Sequence, residues 1–356
     1  MPLLFPLLHL LACGGDIAPV DTDDLVDTGA MPVCGRVRGT GGVLLYQEDA
    51  TVVRTPKESP RADEVGTGIA GPFDGEGRDW MVAVGGKVLR TDDAGCNWSA
   101  QGTLGSGDWA LTTSADLARV YAFDRDSGRG AWSEDSGASW TSFDAGQAFA
   151  GEVSVDATSA GTLRGVQARG LVESLDGGAT WGVTGALPAT MGALRGGARA
   201  GASLAWVAGE GGAWVTVDGG VTWTNAFDAG DASRVALASD DPARVWLLAT
   251  TTDGLLATWT SEATSDGARP TWDRALDEAQ APIAQGAPIW PIPGSPTKAL
   301  SMHGPVTNDA GETAVNLYIM EAGVGTRTVR VGTFRAINDL RFGSDRWVAA
   351  VAPSGD

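Results

Sequence analysis

Carboxylates are the most abundant side chains in this sequence that could do acid–base chemistry. The 356 residues include 44 Asp and Glu but only two His, His9 and His303. Two histidines exclude a zinc site built from several imidazoles, and a Ser-His-Asp hydrolase would depend on His303 alone. Glycoside hydrolysis needs only a pair of carboxylates, so composition leaves that reaction open. The sequence assigns no catalytic residue, no metal ligand and no cofactor.

One motif places aspartates at fixed offsets. Ser/Thr-x-Asp-x-Gly-x-x-Trp occurs at 91–98, 133–140, 174–181 and 216–223, for example as SLDGGATW. The aspartates are separated by 42, 41 and 42 residues, a period typical of propeller blades. The motif residues are Thr91, Asp93, Gly95, Trp98, Ser133, Asp135, Gly137, Trp140, Ser174, Asp176, Gly178, Trp181, Thr216, Asp218, Gly220 and Trp223.

The residue types in the motif suit a tight turn. Aspartate and the hydroxyl accept hydrogen bonds from turn amides, glycine permits positive φ, and tryptophan buries a large apolar ring. A calcium site is the alternative, but each turn has few acidic ligands. Two degenerate copies, TSDGARPTW (264–272) and TNDAGETA (307–314), continue the series. We therefore assign the motif a structural role.

Short apolar runs surround each motif copy. One run precedes the tryptophan by about eighteen residues, as in WMVAV at 80–84, and a glycine turn leads to a second, as in GKVLR at 86–90. Short strands at regular spacing, without helical periodicity, predict an all-β repeat. Each unit forms a four-stranded sheet that must pack against its neighbours around an axis.

These motifs resemble the Asp-box, or bacterial neuraminidase repeat, of sialidases, sortilin-type receptors, some glucan hydrolases and photosystem II assembly-factor-like propellers. The resemblance implies an all-β propeller over residues 37–356, with each box on the hairpin between the last two strands of a blade. Six boxes give six blades, and RWVAAVA (346–352) with ATVVRT (50–55) supplies a seventh closed by both termini. We expect seven blades, with six and eight as alternatives.

A sialidase would need further residues that this sequence lacks. That family carries an Arg-Ile-Pro motif near its start and a tyrosine paired with glutamate. No Arg-Ile-Pro occurs, and FRAIND (334–339) lies at the opposite end of the chain. Tyr318 and Glu321 are the one late pair, and their spacing places them on opposite sides of a strand.

The resemblance implies that ligands bind at the central mouth, on loops opposite the boxes. Arg125, Arg129 and Arg169 could pair there with acidic groups of a partner, or they are solvated loop charges. The Pro-rich segment 282–296 interrupts the period, and Trp290 is either exposed on this face or caps the core. Trp80, Trp206, Trp246 and Trp347 recur at an inner-strand position and are expected in the core. The candidate binding residues are Arg125, Arg129, Arg169, Glu210, Asp253 and Trp290.

The N-terminus indicates export. An apolar run of about ten residues suits a signal-peptide core, and Leu10-Leu11-Ala12-Cys13 resembles the lipobox of bacterial lipoproteins, although a basic n-region is missing. The resemblance implies a signal peptide over 1–12 and lipidation of Cys13. A buried hydrophobic segment is the alternative. The acidic stretch 13–36 is predicted to be a disordered tether, and Gly14 after the cysteine favours the outer membrane or cell surface.

Two further cysteines, Cys34 and Cys96, are candidates for a disulfide in an oxidising compartment. Two free buried thiols are the alternative.

The formal charge of −19 argues against nucleic acid and against adsorption to anionic lipid. The sequence therefore predicts a monomeric, non-enzymatic envelope or surface lipoprotein that holds a protein or glycan partner and meets the membrane only through its anchor. A sialidase-like glycoside hydrolase is the alternative.

Overall fold

A computed structural model describes residues 43–47, 52–54, 65–74, 77–237, 244–262, 268–277, 287–293, 295, 297–307, 313–321, 325–330, 334–342 and 346–353. The predicted signal peptide (1–12) and tether (13–36) lie outside these ranges. All regular structure within them is β-strand. In chain order the strands are β1 (Val43–Gln47), β2 (Val52–Arg54), β3 (Gly66–Ala70), β4 (Trp80–Val84), β5 (Lys87–Thr91), β6 (Ser99–Thr103), β7 (Trp109–Thr113), β8 (Val120–Asp124), β9 (Arg129–Ser133), β10 (Thr141–Asp144), β11 (Ser154–Asp156), β12 (Ser159–Gln167), β13 (Gly170–Ser174), β14 (Gly182–Gly185), β15 (Leu194–Ala200), β16 (Leu204–Gly209), β17 (Gly212–Thr216), β18 (Thr224–Phe227), β19 (Gly230–Leu237), β20 (Arg244–Thr251), β21 (Leu256–Glu262), β22 (Asp273–Asp277), β23 (Ile289–Pro291), β24 (Lys298–Thr307), β25 (Thr313–Glu321), β26 (Gly325–Arg330), β27 (Phe334–Phe342) and β28 (Arg346–Pro353).

The described strands form four-stranded antiparallel sheets. Six are continuous in sequence: sheet 1 (β3–β6), sheet 2 (β7–β10), sheet 3 (β11–β14), sheet 4 (β15–β18), sheet 5 (β19–β22) and sheet 6 (β23–β26). A further sheet, here called the composite sheet, has the order β2-β1-β28-β27 and joins both ends of the described chain. Six of the described sheets are continuous in sequence. The expected total of seven blades is reached only if the composite sheet is counted as a blade.

The composite sheet is held by one ladder between distant segments. Strand β1 pairs with β28 from Val43 opposite Ala350 to Gln47 opposite Arg346. The segment 50–55 was predicted to contribute to this blade, and Val52–Arg54 is the fourth strand of the composite sheet. The third strand is Val43–Gln47, whose apolar VLLY run was not identified.

Apolar clusters fill the spaces between neighbouring sheets. In the cluster between sheets 4 and 5, Trp206 and Val245 are fully buried. Two clusters place the composite sheet in the ring, because one packs Val348 against Trp80 of sheet 1 and the other packs Val351 against Leu300 of sheet 6. The sheets therefore close around an axis, and the expectation of an all-β propeller is confirmed.

Three of the recurring inner-strand tryptophans, Trp80, Trp206 and Trp246, have no exposed surface. The prediction that they belong to the core is confirmed. Among the described residues, no helix has the length and apolar character needed to cross a membrane.

Candidate functional site at the propeller axis

The motif turns are stabilised by hydrogen bonds within each turn. Ser174 Oγ donates to Asp176 Oδ1 (2.8 Å) and accepts from the Gly178 amide (2.8 Å). The Asp176 carboxylate also accepts from the Thr180 amide and hydroxyl, at 2.8 and 2.6 Å. Gly178 has φ +98°, a conformation that a side chain disfavours. The side-chain oxygens of Ser174 and Asp176 therefore form hydrogen bonds within the turn.

The other three turns repeat this pattern. The residue four positions after each motif aspartate donates hydrogen bonds to its carboxylate. In three of the four turns these bonds lower the pKa of the aspartate to about 2. This donor position lies outside the motif pattern Ser/Thr-x-Asp-x-Gly-x-x-Trp, although each copy has a polar residue there. The aspartates with the lowered pKa are Asp135, Asp176 and Asp218.

The motif tryptophans differ in what they bind. From Nε1, Trp98, Trp140 and Trp181 donate to the glycine carbonyl of their own turn, at 3.1, 2.9 and 3.0 Å. Trp223 and Trp272 donate instead to backbone carbonyls of the preceding sheet, at 2.9 and 2.7 Å. These two tryptophans join neighbouring sheets by a hydrogen bond as well as by packing.

One degenerate motif copy lies at a different place from the one predicted. TSDGARPTW (264–272) connects β21 to β22, the third and fourth strands of sheet 5, as expected. TNDAGETA (307–314) instead spans the connection from β24 to β25, the second and third strands of sheet 6. Its interpretation as a sixth motif turn is wrong, because it joins the wrong pair of strands.

Five candidate binding residues lie at one end of their sheets. Second-to-third-strand connections and fourth-to-first-strand connections open at the end of a sheet opposite the motif turns; we call this end the loop face. Arg125 and Arg129 lie at the β8–β9 connection, Arg169 at β12–β13, Glu210 at β16–β17 and Asp253 at β20–β21. Strand direction alone determines the end of the sheet at which these connections lie.

Most of these side chains are already engaged within the protein. Arg129 pairs with Asp124 and lies over the Trp109 ring, 5.4 Å from its centroid. Glu210 lies 3.2 Å from Arg195. These contacts hold the charges of the loop face in defined positions.

Arg169 and Asp253 are held in the same way. Arg169 Nε donates to Gln167 Oε1 at 2.7 Å, and Asp253 accepts from the Thr251 hydroxyl. The structure does not bring Arg129, Arg169, Glu210 and Asp253 together in one cluster.

Trp290 does not belong to the loop face. It is 6% exposed and packs in the cluster between sheet 6 and the composite sheet, so its interpretation as a binding residue is wrong and its role is to cap the core. Tyr318 is buried between sheets 5 and 6, whereas Glu321 lies 3.8 Å from Lys298. The two residues form no acid–tyrosine pair.

A charged cluster lies where the first strands of the sheets meet. Arg341, on β27, donates to the Ile69 carbonyl on β3 (3.3 Å) and to the Leu111 carbonyl on β7 (3.5 Å). Its guanidinium also lies 3.2 Å from Glu152, just before β11. One side chain can reach three successive sheets only near the axis, where their first strands converge.

Asp339 supplies the buried carboxylate of this cluster. It is 1% exposed, and it accepts from the Ile69 amide (2.9 Å) and the Leu340 amide (2.8 Å). Two guanidinium groups flank it, that of Arg341 at 3.7 Å and that of Arg125 at 4.0 Å. Burial raises the pKa of Asp339, and the two arginines oppose that rise.

Two more arginines complete the cluster. Arg125 extends from the loop face to the Thr67 carbonyl (2.8 Å) and to Asp108 (2.7 Å). Burial and the neighbouring Arg125 lower the pKa of Arg234, and Glu152 opposes them. We call Arg125, Arg234, Arg341, Glu152 and Asp339 the axial cluster.

The axial cluster carries three guanidinium groups and two carboxylates in a protein of formal charge −19. Arginine pairs with carboxylates and phosphates through parallel hydrogen bonds, so this arrangement can receive an anionic group. Sequence reasoning selected Arg125 but missed the other four. The sequence feature that could have identified these residues is the presence of charged residues in the first strands and in the loops just before them. FRAINDLRF (334–342) is an example, in a strand that would be expected to be apolar.

Within the described residues, no group of three or more His, Cys, Asp or Glu side chains is arranged to hold a metal ion. Cys96 is disulfide-bonded and 8% exposed. Its predicted partner, Cys34, and the predicted lipidation site, Cys13, lie outside the described residues, so both assignments stay predictions.

Comparisons with known proteins give structural neighbours only. No family profile and no curated protein sequence matches this chain. The GH74 enzyme of Niastella koreensis superposes with a TM-score of 0.52 at 19% identity, over 83% of this chain and 42% of that one. The GH74 xyloglucanase of Xanthomonas campestris gives 0.53 at 16% identity, over 83% and 54%.

YCF48 bound to D1 peptide superposes with a TM-score of 0.54 at 12% identity, over 89% of this chain and 99% of that one. The chain thus spans about half the length of the GH74 proteins and nearly all of YCF48. At these identities the likeness concerns the fold. The chain is an all-β propeller of the kind seen in GH74 and YCF48 proteins.

Proposed function

We propose that this protein is a non-enzymatic, exported propeller that binds a protein or glycan partner through its loop face, with an acidic group of the partner entering the axial cluster. In this proposal Cys13 carries a lipid anchor, the protein is a monomer, the motif turns are Asp-boxes, and the composite sheet serves as the seventh blade.

The axial cluster is the observation that carries the proposal. Its arginines are concentrated at one point of an acidic protein, which gives a local attraction for anions within a field that repels them elsewhere. A partner with a single well-placed acidic group would therefore be favoured over a polyanion. The acidity of the whole chain supports a small target rather than a nucleic acid.

Preorganisation supports the same conclusion. Arg341 is held by two backbone carbonyls, and Arg125 is held by the Thr67 carbonyl and Asp108. Side chains that are fixed before binding lose little conformational entropy when the partner arrives. The complex with D1 peptide belongs to YCF48. It supports the proposal because a propeller of similar fold holds a peptide in that complex.

Arrays of acidic peptides and of glycans test the proposal. The full-length protein should bind a subset of carboxylate-bearing probes, and Arg341→Gln should weaken that binding at least tenfold. Arg125→Gln gives a second variant in case Arg341→Gln unfolds. Arg119→Gln is the matched control, because Arg119 pairs with Glu134 beside a motif turn. Equal binding by wild type, Arg341→Gln and Arg125→Gln would contradict the proposal.

A glycoside hydrolase is the second candidate. Glu152 Oε1 and Asp339 Oδ2 lie 3.2 and 3.7 Å from the same atom, Arg341 Nη2. Arg341 lowers the pKa of Glu152, whereas burial raises that of Asp339. Two carboxylates with pKa values moved in opposite directions fit the division between base or nucleophile and acid. The Asp339 carboxylate, however, is 2% exposed and already accepts two backbone amides, which favours a structural role.

Activated 2-deoxy-2-fluoro glycosides test the second candidate separately. Such reagents trap a nucleophilic carboxylate as a stable glycosyl ester. An adduct on the peptide that contains Glu152, absent from Glu152→Gln, would support hydrolysis. An unmodified peptide after prolonged incubation with a broad set of sugars would argue against a retaining hydrolase.

A further inference from the structure

Arg341 and Glu152 form an ion pair whose two members are held very differently. The guanidinium of Arg341 is anchored by the Ile69 and Leu111 carbonyls and by the buried Asp339. The Glu152 side chain is 68% exposed. Among the described residues, its carboxylate has Arg341 as its one hydrogen-bonding and ion-pairing partner, at 3.5 and 3.2 Å.

The backbone that carries Glu152 is fixed even though its side chain is exposed. The Ala150 amide donates to the Val166 carbonyl (2.8 Å), and the Ala150 carbonyl accepts from the Gly197 amide (3.1 Å). Val153, on the other side of Glu152, is buried. Rotation of the Glu152 side chain therefore requires no movement of the loop and breaks only the ion pair.

We infer that the Glu152 carboxylate occupies the position beside Arg341 at which a ligand carboxylate binds, and that the ligand displaces Glu152 from it. This inference rests on the proposed function, since it concerns the same axial cluster. Asp339 already lies 3.7 Å from Arg341 Nη2, so a ligand carboxylate that joined Glu152 at this guanidinium would be repelled by both carboxylates. Displacement leaves Arg341 in place and moves Glu152 into solvent, where its charge is hydrated.

The electrostatics of Glu152 agree with this role. Arg341 first, and then Arg125 and Arg234, keep the pKa of Glu152 below its usual value. The internal carboxylate is therefore ionised throughout the physiological pH range and competes at full charge. The Glu152 member of the pair is 68% exposed, which limits the free energy that the pair contributes, so a ligand with modest affinity can replace Glu152.

Acetate is a suitable probe because it carries a carboxylate and almost nothing else. We would titrate acetate against chloride at constant ionic strength and follow the NMR signal of Arg341 Nε, assigned by its loss in Arg341→Lys. Glu152→Gln removes the internal charge. Glu152→Asp keeps the charge but shortens the side chain by one methylene, so that it no longer reaches Arg341. Glu134→Gln, which removes an exposed carboxylate near a motif turn, is the control.

Both Glu152 variants should bind acetate about three- to fivefold more tightly than wild type, and Glu134→Gln should bind it equally. If Glu152→Gln alone bound acetate more tightly, the effect would come from removing the negative charge and not from freeing the position beside Arg341. That result would contradict displacement. Unchanged binding in both Glu152 variants would overturn it as well. If acetate moved the Arg341 signal in none of the proteins, the axial carboxylate site of the proposed function would fall together with the inference.

Discussion

The Ile69 amide donates a hydrogen bond of 2.9 Å to the Asp339 carboxylate, across 270 residues of chain. Ile69 lies on the first strand of sheet 1 and Asp339 on the first strand of the composite sheet. The carboxylate therefore fastens the two sheets where the ring closes, and it also lies between the guanidinium groups of Arg125 and Arg341. Ring closure and the geometry of the axial cluster depend on the same side chain.

Asp339→Ala should lower the free energy of unfolding by about 3–5 kcal/mol. The substitution leaves two buried amides without their acceptor and removes the charge between two arginines. Asp339→Asn keeps one acceptor oxygen and should cost less. Urea unfolding of the three proteins provides the measurement, and a loss below about 1 kcal/mol for Asp339→Ala would contradict the closing role.

Asp176→Asn should destabilise the protein at pH 7, because the neutral amide accepts the turn hydrogen bonds less strongly than the carboxylate. The folded-state pKa is lowered to about 2, so the contribution of the charged group is present above the unfolded pKa of about 3.9. It is lost as the pH falls through about 2. The difference in thermal midpoint between variant and wild type should shrink across that range.

Asp126→Asn is the matched control for this substitution, since Asp126 is an exposed aspartate of the β8–β9 connection. It makes the same change in charge outside a motif turn. A destabilisation by Asp176→Asn that is equal at pH 7 and pH 2, or equal to that of Asp126→Asn, would argue against a charged acceptor in the turn.

Trp80→Phe should cost more stability than Trp246→Phe, by about 1 kcal/mol. Both indoles are fully buried, so both variants lose a similar volume of packing. Trp80 Nε1 donates to the Gly77 carbonyl at 2.8 Å, whereas Trp246 Nε1 has no hydrogen-bond partner among the described residues. Equal losses in urea unfolding would show that the Trp80 hydrogen bond contributes nothing measurable.

Peptide mapping without reduction should recover Cys96 linked to Cys34. Cys96 is disulfide-bonded, and Cys34 would close a loop of about sixty residues, which contributes about 4 kcal/mol in the chain-entropy model. Cys34→Ser should lose stability of that order. Recovery of Cys96 linked to Cys13 would overturn both this pairing and the proposed lipid anchor.

The fold was predictable because its signals are local and repeated. In each motif the hydroxyl, the aspartate and the glycine act within one turn of a few residues, so sequence spacing alone identifies the turn. TNDAGETA shows where this reasoning fails. A partial copy of the motif, without the tryptophan, also suits an ordinary connection between the second and third strands.

The axial cluster was not predictable in the same way. Arg341 and Glu152 are 189 residues apart, and they meet because several sheets converge at the axis. Nothing local distinguishes Glu152 from other loop carboxylates. For Trp290, a Pro-rich flank suggested an exposed loop, but β23 places the ring in the core between two sheets.

Turnover of fluorogenic glycosides, sialosides included, by the full-length protein is the most direct test of a non-enzymatic binding propeller. We predict no release above the rate of a protein-free control for any substrate. Reproducible release that is abolished in both Glu152→Gln and Asp339→Asn would contradict that prediction and make this protein a glycoside hydrolase.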